Sequence, residues 1–190
     1  LCSGQYHKWS TADDYWHPNF LEEAVAVLDS RPDVVLCYPK TRQIDASGNA
    51  IAEYDDRLHL IDEPPRVRFR QLYERIGLCN AHLGLIRRET MLATQLIAGH
   101  RASDVDFLAE VALRGKFWLL PEVRFFRRFH TESSSWARDD VEHQRKYYNP
   151  GGEGLAWQAW RRVLFQLGAV WRSPTAPASK LALTSDVARS

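Results

Sequence analysis

The spacing of apolar positions changes several times along this chain, and each change marks an element. Tyr6 to Trp9 reads as a short strand that runs into the acidic pair Asp13-Asp14. Pro18 suits the first turn of a helix. Beyond it Phe20, Leu21, Ala24, Val25 and Leu28 fall on one helical face, until Arg31-Pro32-Asp33 breaks the pattern. Val34 to Tyr38 is an unbroken apolar run, as in a strand covered on both faces. Ile44 to Ile51, with Gly48 inside it, predicts a hairpin. Pro65 to Ile76 predicts a helix with Val67, Leu72 and Ile76 as its apolar positions and Gly77 as its stop. Its alternating Arg66, Arg68 and Arg70 read as a solvated face. Leu83 to Ile86 predicts a further strand, followed by a short helix near Glu89 to Ala93.

Ser103 predicts an N-cap, with Asp106 placed as in a capping box, for a helix over Asp104 to Arg114 that Gly115 ends. Phe117 to Leu120 and Val123 to Phe129 read as two strands parted by Pro121. Helical patterns follow over 139–147, 155–171 and beyond Pro177, with Asn149-Pro150-Gly151-Gly152 as a linker. The alternation predicts an α/β domain over 1–148 and a helical C-terminal extension over 149–190. The strands are few for an open parallel sheet, whose first β-α units complete a nucleotide crevice. The chain also opens Leu1-Cys2-Ser3 without Met, so it reads as part of a longer protein. An open edge or apolar face is therefore expected near Tyr6 to Trp9 or Val34 to Tyr38.

Composition narrows the function classes. Twenty-five basic against 24 acidic side chains give a net charge of +1, which removes the electrostatic basis for a nucleic-acid partner. Cys2, Cys37 and Cys79 share no metal-ligand spacing, and Cys37 lies inside the apolar run as a buried thiol would. A reducing, cytoplasmic setting fits them. No run approaches the roughly 18 apolar residues of a spanning helix. Residues 155–171 do gather Trp157, Trp160, Leu164 and Trp171 beside Arg161, Arg162 and Arg172. Such a helix lies on a membrane surface, or packs on its own domain with Arg outward, and the second fits better.

Three short segments can carry chemistry. Asp13-Asp14, at the exit of a strand, can hold a hard divalent cation and a ribose hydroxyl together. The same pair could cap the next helix and otherwise face water. Asp104 in a first helical turn is stabilised by the helix dipole, and from that rigid end it could also act as a general base. Arg127-Arg128-Phe129-His130, followed by hydroxyls at 131 and 133–135, suits a diphosphate and its metal. Gly84 and Arg87 lie at a strand end that could line an acceptor cleft. Trp9, Trp16 and Trp118 are core candidates, whereas Trp136 sits in a polar stretch near His130 and could be a sugar platform.

The order and spacing of these segments resemble the family 2 glycosyltransferases, inverting enzymes of the GT-A fold. The resemblance runs from about Gly4 to Ser135. Gly4-Gln5-Tyr6-His7-Lys8-Trp9, Ala12-Asp13-Asp14 and Pro18-Asn19-Phe20-Leu21 are similar to the family's strand, acidic metal motif and following helix. Ser103-Asp104 with Leu108 to Leu113 looks like the helix carrying its base; Pro121 to His130 looks like its closing strand and histidine. The resemblance implies a partial GT-A three-layer fold and metal-dependent sugar transfer, with inversion, from a nucleotide-diphospho-sugar to an acceptor hydroxyl. Asp14 would ligate Mg2+ or Mn2+, Asp13 would contact ribose or metal, and His130 would face metal or diphosphate beside Arg127 and Arg128. Asp104 would deprotonate the acceptor, with Gly84, Arg87, Ser103 and Trp136 on the acceptor side. The acceptor would be a carbohydrate, lipid-linked or protein group, met in the cytoplasm or at the inner membrane surface. Two features depart from the pattern: Ser103 stands where an acidic residue commonly precedes the base, and the half that grips the nucleotide base does not appear. Two rival classes are a metal-dependent phosphohydrolase built on Asp13, Asp14 and His130, and a non-catalytic carbohydrate-binding or assembly module built on the aromatic residues.

Overall fold

The computed structural model describes residues 3–100, 102–130 and 155–188, with side chains from 159 onward in the last stretch. Its sheet has six strands. They are β1 (Tyr6–His7), β2 (Tyr15–Trp16), β3 (Val34–Ile44), β4 (Ala50–Tyr54), β5 (Leu85–Arg87) and β6 (Lys116–Arg128). The order is β1-β5-β3-β6-β2, with β4 pairing the far part of β3. Strands β3 and β6 run parallel, and the other pairings are antiparallel.

The apolar run at 34–38 exists because both faces of β3 are covered. On one side α1 (Phe20–Ser30) packs Phe20, Ala24 and Leu28 against Val34, Cys37, Leu85 and Leu120. On the other, Leu36 and Tyr38 meet Phe69 and Leu72 of α2 (Pro65–Arg75) and Phe107, Leu108 and Val111 of α4 (Ser103–Ala112). The helices α5 (Leu155–Arg172) and α6 (Pro177–Val187) join this second layer through Val170, Leu183 and Val187. The short α3 (Arg88–Leu92) follows β5 directly. The result is helix–sheet–helix, with β3 at the centre. Val34 to Tyr38 is thus internal, and the expectation of an open edge there is corrected. At Tyr6–His7 the expected strand does end the sheet among the described residues, while Trp9 leaves it to pack on Phe107.

Several local expectations change for identifiable reasons. Pro18 precedes α1 instead of entering it, and Leu21 is turned to solvent at 51% exposure. The hairpin at 44–51 is present: Asp45 Oδ1 accepts the Asn49 N–H at 2.8 Å, and Gly48 takes φ 92°. The two strands expected around Pro121 are one, because β6 bulges there. Its register against β3 jumps between Pro39–Leu120 and Lys40–Val123, leaving Pro121 and Glu122 exposed. In α2, Arg68 is buried and donates to the carbonyls of Ala112, Asp62 and Glu63, while Val67 is exposed. The residue before α4 is Ala102 at φ 62°, so Ser103 is not the cap; its buried hydroxyl donates to the Ala98 carbonyl at 2.7 Å. Asp106 does not close a capping box either, because its carboxylate is buried under α2 and α5.

The orientation of α5 is a further correction. Arg162 and Arg172 reach inward to the buried carboxylates of Asp106 and Glu110, whereas Trp160, Leu164 and Trp171 face solvent. No described helix is long and apolar enough to cross a membrane. The helix expected over 139–147 and the linker at 149–152 lie outside the described residues.

Candidate functional site

Strand β2 brings the acidic pair to the end of β6. Tyr15 pairs with Phe126 and Trp16 with Phe125, and both pairs stack, with ring centroids 4.4 and 4.3 Å apart. The loop preceding β2 is thereby held against Arg128. Asp14 Oδ1 accepts the Arg128 backbone N–H at 2.8 Å, and Oδ2 accepts the Thr11 hydroxyl at 2.5 Å. His130 Nε2 stands 2.8 Å from Asp13 Oδ2. The Arg128 guanidinium binds the carbonyls of Asp13, Asp45 and Ala46, tying this loop to the β3–β4 turn.

Lys8, to which the sequence reading gave no role, belongs to this group. Its Nζ lies 3.7 Å from the Trp16 ring centroid. Burial lowers it from the ordinary 10.5 to about 8, against the opposing pull of the Asp14 charge. The only signal available in sequence was its place between two aromatic-rich positions.

Asp13 suits a hard cation completed by phosphate oxygens: it is exposed, and its Oδ1 makes no hydrogen bond among the described residues, while His130 stands against its Oδ2. Asp14 is less free, since each of its oxygens already accepts a hydrogen bond. Among the described residues the acidic pair and His130 do not draw three ligand atoms together. The trio that does is Cys79, His82 and Asp104, whose ligand atoms lie within 4.8 Å of one another.

That second group sits where the 3₁₀ turn Asn80–Leu83 meets the first residues of α4. Asp56 fixes the turn by accepting the N–H groups of Cys79 and Ala81. Asn80 donates to Thr41 Oγ1 at 3.0 Å, and Arg127 donates to the Leu78 carbonyl and to Asn80 Oδ1. Arg127 therefore attends this turn, while its neighbour Arg128 attends the acidic pair. Asp104 is half-buried, and burial together with its negative charge pushes the Cys79 thiol up.

The remaining candidates have structural partners. A side chain at Gly84 would meet the Cys37 carbonyl at 2.6 Å, so close passage of the turn over β3 demands glycine. Arg87 donates to the carbonyls of Leu28, Arg31 and Val34, closing the C-terminal end of α1. Trp136 lies outside the described residues.

No family model and no curated protein matches the chain. Among solved structures it is similar to TarS of S. aureus, residues 1–349 in complex with UDP, at 11% identity and a TM-score of 0.54. The match covers 98% of this chain and 47% of that one, so this chain spans about half the length of the chain it matches. At this identity the likeness is one of fold: the chain is a mixed α/β structure matching part of a glycosyltransferase-like fold.

Proposed function

We propose that this chain is the metal- and acceptor-side part of a family 2 glycosyltransferase, transferring sugar from a nucleotide-diphospho-sugar with inversion. The observation that carries the proposal is the approach of Asp13 to His130 beside the Asp14–Arg128 contact, across more than a hundred positions, within a glycosyltransferase-like fold. The UDP bound in the structural neighbour supports the donor class.

In this reading Asp104, presented from the rigid start of α4, takes the acceptor hydroxyl proton as the new glycosidic bond forms. Asp13 and His130 would hold Mg2+ or Mn2+ with the donor diphosphate, and Asp14 would reach it from its loop. The ion, when bound, neutralises charge on the departing nucleoside diphosphate. Arg128 keeps the acidic loop in place, and the fixed elements on either side hold donor and acceptor in line. The enzyme would act in the cytoplasm at the inner membrane surface, with the outward stripe of α5 against the lipid.

Two variants of the full-length enzyme test this. Asp104→Asn should lower transfer by on the order of 10²–10⁴-fold while nucleoside diphosphate still binds. Asp13→Asn should instead weaken manganese-dependent nucleoside diphosphate binding, read by calorimetry. Near-normal transfer by Asp104→Asn would sink the base assignment; unchanged diphosphate binding by Asp13→Asn would sink the metal-side assignment.

A further inference from the structure

Cys79, His82 and Asp104 carry a ligand set unlike that of the acidic pair. One sulfur, one imidazole nitrogen and one carboxylate oxygen come within 4.8 Å of one another. Each is prepared by its surroundings. His82 Nδ1 lies 2.5 Å from the Cys79 carbonyl, an oxygen that can only accept. Nδ1 therefore carries the proton and Nε2 keeps its lone pair, the arrangement that orients metal-ligating imidazoles. Asp104 is half-buried; its Oδ1 accepts the adjacent Val105 N–H, and its carboxylate also accepts a hydrogen bond from the Cys79 thiol. Cys79 is 2% exposed and sits at φ 61°, a left-handed conformation that is costly for a non-glycine residue and is held here by Asp56.

We propose that Cys79, His82 and Asp104 form a site for a thiophilic divalent cation, Zn2+ being the ion that fits, and that its occupancy blocks Asp104 as a base. Binding releases the thiol proton to solvent, and the cation supplies the charge that makes a buried thiolate favourable. Three protein ligands leave the fourth position to water. Mg2+ and Mn2+ disfavour thiolate and favour oxygen-rich sites, so the two cation types sort between this trio and the Asp13 side, where carboxylate and phosphate oxygens outnumber the one imidazole. The inhibitory half rests on the proposed transferase reading; the binding half does not.

Cobalt substitution tests the binding half on this chain, in reducing buffer without chelator. One equivalent of Co2+ should produce a thiolate-to-cobalt charge-transfer band with tetrahedral visible bands, and Zn2+ should bleach both. Cys79→Ser should lose the charge-transfer band, while Cys2→Ser should keep it. Asp104→Asn and His82→Ala should weaken zinc by more than about 100-fold, beyond the range of outer-sphere changes. Melting curves without metal identify any variant that has merely failed to fold, and half-buried Asp104 at the start of α4 provides a variant outside the buried turn. Absence of the thiolate band in the unaltered chain, or its persistence in Cys79→Ser, overturns the site. In the full-length enzyme, stoichiometric zinc should stop transfer, a chelator should restore it, and excess Mn2+ should not. Full transfer with zinc bound overturns the inhibitory half, whereas normal transfer by Asp104→Asn overturns the base assignment and the inhibitory half with it, and leaves the binding half standing.

Discussion

Asp56 is 1% exposed and accepts the Tyr54 hydroxyl at 2.6 Å, the Cys79 N–H at 3.0 Å and the Ala81 N–H at 2.8 Å. Those bonds fix the turn on which Cys79 and His82 stand. Asp56→Ala would leave two backbone donors without their acceptor, at a cost of about 3 kcal/mol or more. Thermal unfolding should show that loss, and it should exceed the loss from Asp56→Asn, which keeps an acceptor in place. Equal melting of Asp56→Ala and the parent would mean that the turn is held by other contacts. Nothing in Tyr54-Asp55-Asp56 marked this residue, because its partners lie 23 and 25 positions away and a polar loop has no period. The acidic pair and His130 were legible for the opposite reason: each closes or follows an apolar segment, at the end of an element. The capping box at Ser103 and Asp106 failed because burial between helices gave Asp106 a stronger set of partners than the helix terminus offered.

At the scale of elements, α5 turns Val163, Leu167 and Val170 inward yet leaves a second apolar stripe outside. The spacing of Trp160, Leu164 and Trp171 defines one face of the helix, and apolar faces ordinarily turn inward. Here α4 presents the carboxylates of Asp106 and Glu110, each buried, and these must be paired. Arg162 and Gln166 bind Asp106, and Arg172 approaches Glu110, so the aromatic stripe is left outside. Arg162→Ala should therefore destabilise the chain by about 2 kcal/mol. That is less than a fully buried pair would give, because the Arg162 side chain is 39% exposed and Tyr73 still donates to Asp106. Trp160→Ser with Leu164→Ser should leave the melting temperature nearly unchanged, since both residues are exposed. The same double variant should reduce sedimentation with anionic lipid vesicles, as the absence of any acidic residue in α5 favours such a surface. A large loss of stability on removing the Trp–Leu pair would show that this stripe is packed against the protein.

For the molecule as a whole, the α/β class was legible because helical and strand periods alternate through the first 130 residues. The sheet order was not, because β1, β2 and β5 are two or three residues long, too short to carry a period. Of these, β2 holds the acidic loop on β6, and β5, paired with β3, follows the Cys79–His82 turn. At the end of β6, consecutive residues serve different groups. Arg127 binds the Leu78–Asn80 segment that leads into the Cys79–His82 turn, and Arg128 binds the loop of Asp13 and the hairpin carbonyls. Lysine preserves charge at either position but lacks the planar fork that holds several acceptors at once. On the proposed transferase reading, Arg127→Lys should loosen the turn beside Asp104 and lower transfer by the full-length enzyme roughly tenfold, about the 1.4 kcal/mol of one such contact. Its manganese-dependent affinity for nucleoside diphosphate should hold. Arg128→Lys should do the reverse, weakening that affinity by a similar factor with a smaller effect on turnover at saturating donor. Measuring rate and affinity for both variants separates the two groups. If both variants lose rate and affinity in the same proportion, β6 transmits strain between them, and the division of labour argued from these contacts does not hold.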